Sequence, residues 1–191
     1  KMTGQLVYPG GSPKSRVSFY LSDGKQLDFN DQRLFGELHL LDDWRALKFI
    51  QGLGPEPFDI SQAQFKEMLS KKKTKIKPLL MDQAFISGIG NLYAAEVLFR
   101  AKIHPQRPAN SLSDKEKKVL FTEIKDTLNE AIHYGGSSID DYVRLSGKPG
   151  GYAAYHKVYG REDEPCLVCK TPIKRIALGG RGTFFCPKCQ K

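Results

Sequence analysis

The chain has 191 residues, with 30 lysines and arginines against 21 aspartates and glutamates, and so a formal net charge of +9. That length can bury one ordinary core or two small ones, and 40% hydrophobic with 27% charged residues excludes intrinsic disorder. No apolar run reaches the roughly 18 residues of a membrane span, and the first residues form no apolar signal-peptide core. A pI near 9.3 indicates an anionic partner, most often nucleic acid.

The positive charge is concentrated in two blocks. Residues 61–110 carry a net charge of +6 and residues 153–191 carry +5, whereas residues 1–60 and 111–152 carry −1 each. A charge that served only solubility has no reason to segregate in this way. If the two basic blocks meet in the fold, they form one anion-binding surface.

The first forty residues predict three short strands, at 5–8, 16–21 and 26–30, separated by turns that contain Pro, Gly and Asp. The second and third strands form a predicted hairpin. Three strands with no helix of their own leave an apolar face without cover, so we expect this sheet to belong to a larger domain whose N-terminal part is absent.

The middle of the chain has the pattern of helices. Two capping boxes, Ser61 with Gln64 and Ser113 with Glu116, start two predicted helices. The first helix is expected to run into the lysines that follow it. The second is expected to end at the glycine pair 135–136.

The four cysteines form two Cys-x2-Cys pairs separated by 16 residues: Cys166, Cys169, Cys186 and Cys189. This spacing is typical of a four-thiolate zinc site. Two disulfides in a secreted mini-domain are one alternative, but no signal segment accompanies them. Thioredoxin-like redox chemistry is another, but neither motif opens an apolar helix. Four thiolates leave no coordination position for water, so we predict one structural Zn²⁺ on which folding of this unit depends.

Between the cysteine pairs, residues 171–177 and 182–185 are predicted to form a β-hairpin. The turn at residues 178–181 places Arg181 at or near its tip, with Lys174 and Arg175 on the facing strand. A charged tip on a metal-stapled ribbon is suited to contact with a phosphate backbone. The alternative is an arginine on a solvated turn.

A Gly-Ile-Gly-Asn turn at residues 88–91 resembles a phosphate-cradling turn, and Asn91 is the expected N-cap of the next helix. A simple connection between helices is the alternative. A dinucleotide-binding loop is disfavoured, because no buried strand precedes the turn and no acidic residue lies about 20 residues on. Five lysines occur within residues 71–77, directly before the turn, which favours phosphate contact over a solvated helix end.

No self-contained catalytic set is evident. The four histidines lie far apart, and the aspartate pairs 42–43 and 140–141 are typical of exposed loops or helix starts. Taken alone, Met2 and Phe35 are typical of core residues, and Arg33 carries no signal.

In combination, the motifs of this chain resemble those of the formamidopyrimidine-DNA glycosylase (MutM-like) enzymes of bacterial base-excision repair. The resemblance covers nearly all of the chain. The matching motifs are Lys-Met-Thr-Gly at 1–4, Asp-Gln-Arg-Leu-Phe-Gly at 31–36, Leu-Gly-Pro-Glu-Pro-Phe at 53–58, Lys-Pro-Leu-Leu-Met-Asp-Gln at 77–83, Gly-Ile-Gly-Asn-Leu-Tyr-Ala at 88–94, Ile-His-Pro at 103–105, Val-Tyr-Gly-Arg at 158–161 and Gly-Arg-Gly-Thr-Phe-Phe-Cys at 180–186.

The resemblance implies an α+β architecture in three parts. Residues 1–58 are the C-terminal part of a β-sandwich domain, 59–152 a helix–two-turn–helix DNA-binding domain, and 153–191 a four-cysteine zinc-finger β-ribbon. The implied partner is double-stranded DNA with oxidised bases or abasic sites. The implied activity is excision of 8-oxoguanine and formamidopyrimidines, with β,δ-elimination of the abasic strand. We expect the protein to be a monomer without a membrane partner. We expect it to be located in the bacterial cytoplasm, associated with the nucleoid.

Three residues match side chains that fill the gap left by a flipped-out nucleotide: Met2, Arg33 and Phe35. Met2 and Phe35 would replace lost stacking, and Arg33 would hydrogen-bond the orphaned base, which replaces the core interpretation above. The sibling endonuclease VIII enzymes, which prefer oxidised pyrimidines, usually carry a different trio and rank second.

The resemblance also assigns phosphate contacts. Asn91 and Arg181 match the clamp on the phosphates beside the lesion, and Arg181 also matches the catalytic arginine of the final δ-elimination. Lys72, Lys77 and Gly90 match further DNA-contacting positions.

The chain departs from the family's pattern in two places. The family's nucleophile is an N-terminal proline amine, and it precedes the segment matched by Lys1, as do the glutamate and lysine that assist it. We therefore expect this chain to bind DNA without turnover, or to be a non-catalytic zinc-ribbon DNA-binding protein. The second departure lies near Lys14, where relatives often carry a DNA-contacting histidine and this chain has no histidine.

Overall fold

A computed structural model describes residues 4–138 and 149–191 of the chain. Packing divides it into two compact units: the first within residues 1–42 and 131–154, the second within 43–130 and 155–191. Among the described residues, no helix is both long and apolar enough to cross a membrane. The predicted combination of N-terminal strands, a helical region and a C-terminal cysteine ribbon is confirmed.

The first unit contains a three-stranded antiparallel sheet. Its strands are β1 (Gly4–Val7), β2 (Ser15–Tyr20) and β3 (Gln26–Asp31), in the order β1-β3-β2. The predicted hairpin of the second and third strands is therefore confirmed. On the apolar side of this sheet, Leu6 and Phe19 remain exposed.

The opposite face of the same sheet is polar and is organised by Asp28, which is fully buried. Its carboxylate accepts hydrogen bonds from the Gln26 and Ser18 side chains, both at 2.6 Å, and from the backbone N–H groups of Gly11 and Ser12. These bonds, that from Gln26 above all, hold the pKa of Asp28 well below its usual value. The carboxylate thereby fastens the glycine-containing loop after β1 to β3.

The second unit is mainly helical. Its helices are α1 (Lys48–Gln51), α2 (Gln62–Ser70), α3 (Ile76–Leu80), α4 (Asn91–Arg100) and α5 (Asp114–His133), the last of which extends into the residues of the first unit. Short 3₁₀ helices occur at Trp44–Ala46, Ala109–Ser111 and Tyr152–Tyr155.

Local signals define the starts of both predicted helices and the end of the second as expected. Ser61 and Gln64 form a reciprocal capping box, and Glu116 bonds back to the N–H of Ser113 at 2.7 Å. After α5, Gly135 and Gly136 both have positive φ, and their N–H groups reach back to carbonyls of the last turn. This is the glycine-dependent termination that the sequence predicted.

Two hydrophobic clusters share α4. The larger cluster lies entirely within residues 60–124 and includes Phe65 against Phe121, with ring centroids 5.2 Å apart. The smaller joins Ala95 and Phe99 of α4 to the cysteine-containing tail. The tail therefore packs on one face of a helix whose other face belongs to the main core.

The tail forms a β-ribbon of β4 (Lys174–Leu178) and β5 (Arg181–Phe185). Gly179 and Gly180 make the two-residue turn with φ of 60° and 71°, which only glycine adopts easily at successive positions. Strand β4 begins three residues later than predicted. The preceding residues close the first cysteine turn instead, where Cys166 N–H donates to the carbonyl of Thr171.

Candidate nucleic-acid interface and metal centre

The four cysteine sulfurs lie within 4.8 Å of one another. Cys166 Sγ is 3.9 Å from Cys189 Sγ, and Cys169 Sγ is 3.4 Å from Cys186 Sγ. A tetrahedral zinc with Zn–S bonds of about 2.3 Å separates its sulfurs by about 3.8 Å. The donor set therefore fits one Zn²⁺, and because all four positions are thiolates the metal is structural.

Electrostatics in this cluster also favour a cation. A hydrogen bond from Thr171 lowers the pKa of Cys169 to about 6, so one thiolate forms readily. Burial raises the pKa of Cys189 to about 12, because removal from water disfavours its charged thiolate form. A bound Zn²⁺ supplies the positive charge that four adjacent thiolates require.

Asn91 is not an N-cap. Gly90 occupies that position in extended conformation, with φ −102° and ψ −176°, and Asn91 is the first residue of α4. Its amide is therefore available for distant partners. Oδ1 accepts from Lys77 Nζ at 2.5 Å, and Nδ2 donates to the carbonyl of Gly182 at 3.2 Å and to the hydroxyl of Tyr159 at 3.4 Å. The amide joins α3, α4 and β5.

Lys77 is fully buried, which is unusual for a lysine. Besides Asn91, its ammonium lies 3.4 Å from Met81 Sδ, and no carboxylate among the described residues hydrogen-bonds to it. Burial, together with the smaller effect of the positive charge of Arg181, lowers the pKa of Lys77 to about 8. The site thus holds a buried ammonium group next to the first residue of α4, with an amide oxygen and no carboxylate as its described hydrogen-bond acceptor.

Arg181 is exposed at the first position of β5, next to the two-glycine turn. It forms no salt bridge with any described residue. Gly182, its neighbour, is the residue whose carbonyl accepts from Asn91. Lys77, Asn91 and Arg181 therefore converge from α3, α4 and β5, and the two basic sequence blocks do meet. Lys174 and Arg175 pair with Phe185 and Phe184 toward the opposite end of the ribbon, and the Arg175 guanidinium reaches back to Gly182.

The lysine run does not continue α2, which ends at Ser70. Residues 72–75 are instead non-helical, and the backbone from Lys72 to the first residues of α3 pairs with residues 105–110: the carbonyls of Lys72 and Thr74 accept from Asn110 and Ala109, and Lys75 forms a β-bridge with Pro108. Lys72 and its neighbours up to Lys75 are exposed, whereas Lys77 is buried. This backbone pairing fixes the positions from which the exposed lysine side chains extend.

Glu96 is an important residue that the sequence interpretation missed. Its carboxylate is fully buried and accepts three successive backbone N–H groups, those of Lys157, Val158 and Tyr159, at 2.8–3.0 Å. The ring of Tyr159 lies edge-on to Phe184 of β5. Glu96 therefore holds in place the segment that contacts Asn91. One charged residue within the apolar stretch 94–99 of α4 was the available signal.

In the first unit, Arg33 and Phe35 are adjacent and exposed, with the guanidinium carbon 5.2 Å from the ring centroid. Asp31 holds their loop by accepting from the N–H groups of Arg33 and Gly36. Met2, the third predicted member of this group, lies outside the described residues.

The second unit combines a four-cysteine ribbon with a helix start, and cationic side chains converge where the two meet. This arrangement defines a zinc-ribbon protein of the nucleic-acid-binding class. Residues 53–143 match the formamidopyrimidine-DNA glycosylase H2TH domain, and residues 163–191 match a zinc finger found in FPG and IleRS.

Whole-chain comparisons agree. A formamidopyrimidine-DNA glycosylase of Solibacter usitatus is 44% identical to this chain; the match covers 100% of this chain and 71% of the relative. A formamidopyrimidine-DNA glycosylase of Bacillus subtilis is 46% identical; the match covers 91% of this chain and 64% of the relative. The crystal structure of MutM (Fpg) from Thermus thermophilus has a TM-score of 0.90 at 40% identity, covering 99% of this chain and 73% of that one.

A complex of Lactococcus lactis Fpg with DNA containing an abasic site has a TM-score of 0.89 at 35% identity, covering 100% of this chain and 73% of that one. The chain belongs to the formamidopyrimidine-DNA glycosylase family.

Proposed function

We propose that this chain provides the DNA-binding part of a bifunctional DNA glycosylase/AP lyase that excises oxidised purines in base-excision repair. The observation that carries the proposal is the convergence of Lys77, Asn91 and Arg181 at the start of α4. Support comes also from solved relatives, whose DNA contains an abasic site or a Fapy-dG lesion.

The proposed phosphate clamp uses three kinds of group. The N-terminal end of α4 supplies the positive end of the helix dipole, and Gly90 leaves open space where a side chain would stand. The exposed Arg181 guanidinium supplies hydrogen-bond donors, and the Asn91 amide supplies another when one of its Nδ2 contacts, to Gly182 or Tyr159, is exchanged for a phosphate oxygen. The buried Lys77 ammonium adds charge in a low-dielectric setting, where its effect is larger than in water. Lys72 extends this basic surface along the ordered lysine segment.

The loop that carries Arg33 and Phe35 would act on the bases. When the damaged nucleotide leaves the stack, Phe35 and Met2 would replace lost stacking, and Arg33 would hydrogen-bond the partner base. The contacts of Asp31 support this role. Its carboxylate holds the loop against β3, while the side chains of Arg33 and Phe35 remain exposed.

The covalent chemistry is assigned to groups outside residues 1–191, apart from Arg181 in the final elimination. In a borohydride trapping experiment on an abasic-site duplex, the 191-residue chain should bind DNA and form no adduct above background. The intact Bacillus subtilis relative is the positive control. A covalent adduct with this chain would contradict the assignment, because it requires an amine nucleophile within residues 1–191.

DNA affinity should depend on pH through Lys77. The unbound chain loses the Lys77 proton as pH rises through about 8, and a nearby phosphate favours the protonated form. Binding is therefore coupled to proton uptake, and affinity should fall as pH rises from about 7.5 to 9.5. Lys77→Met should flatten this profile, whereas Lys75→Met, at an exposed position, should keep it. Parallel profiles for the parent and Lys77→Met would exclude the coupling.

A further inference from the structure

Gln190 is a buried polar side chain that connects the cysteine ribbon to the helical core. It is 2% exposed. Its Oε1 accepts from the N–H of Cys186 at 2.8 Å, and its Nε2 donates to the carbonyl of Ile103 at 2.9 Å. One amide thus bridges a metal ligand's backbone and the segment that follows α4.

Neighbouring backbone contacts reinforce this connection. Lys191 N–H donates to the carbonyl of Lys102 at 3.1 Å, and His104 N–H donates to the carbonyl of Lys191 at 2.8 Å. The His104 ring lies edge-on to Phe185, the last residue of β5, with centroids 4.7 Å apart. The cysteine end of β5 is therefore fixed against the C-terminal end of α4.

The other end of β5 is fixed against the N-terminal end of α4. There the Asn91 amide donates to the carbonyl of Gly182, one residue from Arg181. A strand held at both ends cannot slide along the helix, so its register determines where Arg181 stands relative to Asn91. Changing the fixed point at Cys186 would change that separation.

We propose that Gln190 is a positioning residue for DNA binding, which sets the register of β5 along α4 and so places Arg181 beside Asn91. This role rests on the proposed function. An uncharged amide fits both contacts, since its oxygen accepts at one end and its NH₂ group donates at the other. Glutamate of the same length would bring a carboxylate against the Ile103 carbonyl, and methionine would leave both buried backbone groups without a partner.

The test is a double-mutant cycle on the zinc-loaded chain. Gln190→Met and Gln190→Glu are each made in the parent and in Arg181→Ala, and affinity is measured for a duplex with a tetrahydrofuran abasic-site analogue. Each variant should keep one zinc per chain and bind about tenfold more weakly in the parent. In Arg181→Ala each should cost less than about twofold, because residues that act through one contact are not additive. Lys191→Ala, whose contacts are made by backbone, should show no coupling to Arg181.

Two results would overturn the positioning role alone: equal fold-losses in both backgrounds, or loss of zinc from both Gln190 variants. The first would mean that Gln190 acts independently of Arg181, and the second that it serves metal retention. Unchanged affinity on Arg181→Ala alone would instead contradict the proposed function, and the positioning role with it.

Discussion

Removal of zinc should unfold residues 157–191 and weaken DNA binding by more than tenfold while the helical core stays folded. The ribbon's own cluster is small and contains Cys166 and Cys186 themselves, so it lacks the apolar area to fold without the metal. The larger cluster lies within residues 60–124 and includes no ribbon residue. Unfolding of the ribbon would displace Arg181 and remove the Gly182 carbonyl from Asn91.

Chelation followed by limited proteolysis and DNA titration measures both effects. Cleavage should be confined to the ribbon, and Cys166→Ser should reproduce it without chelator. Val168→Ala is the matched control, because this exposed side chain lies in the same cysteine turn without binding metal. Unchanged DNA affinity with zinc demonstrably removed would rule out the role proposed for Arg181.

Arg181→Ala should lower DNA affinity by about 10- to 100-fold, the range expected for a hydrogen bond to a charged group. It should also reduce the salt dependence of binding by about one unit of slope, because one phosphate contact is lost. Asn91→Ala should have a similar effect on affinity with a smaller change of slope, since an amide carries no charge. It also leaves the buried Lys77 ammonium without its amide acceptor.

Lys174→Ala is the matched control for Arg181→Ala. Lys174 is an exposed cation on the same ribbon but at its opposite end, where its backbone pairs with Phe185. It should change affinity less than about twofold. Equal losses for the Arg181 and Lys174 variants would mean that the ribbon binds through its general charge and not through a clamp beside α4.

The features that the sequence predicted correctly depend on contacts that are short in sequence. Each capping box joins residues three apart, and the hairpin turn needs only Gly179 and Gly180. The zinc site spans more chain, but thiolate spacing within each Cys-x2-Cys pair is itself a local constraint. Such features require no knowledge of the rest of the fold.

The features that sequence interpretation missed depend on distant partners. Asn91 fits a local N-cap, yet its amide bonds residues 14, 68 and 91 positions away. The lysine segment leaves the helix because residues 105–110 offer it a backbone ladder. Glu96 and Gln190 bind groups 61–63 and 87 positions away, and neither belongs to a motif that the sequence defines.

The most direct test of the account is the affinity of the zinc-loaded chain for a duplex with a tetrahydrofuran abasic-site analogue, measured against the same undamaged duplex. The parent chain should bind the damaged duplex more tightly, and Arg181→Ala should lose most of its affinity for that duplex. Equal binding of both duplexes by the parent, with no effect of Arg181→Ala on either, would contradict the proposed lesion-binding clamp.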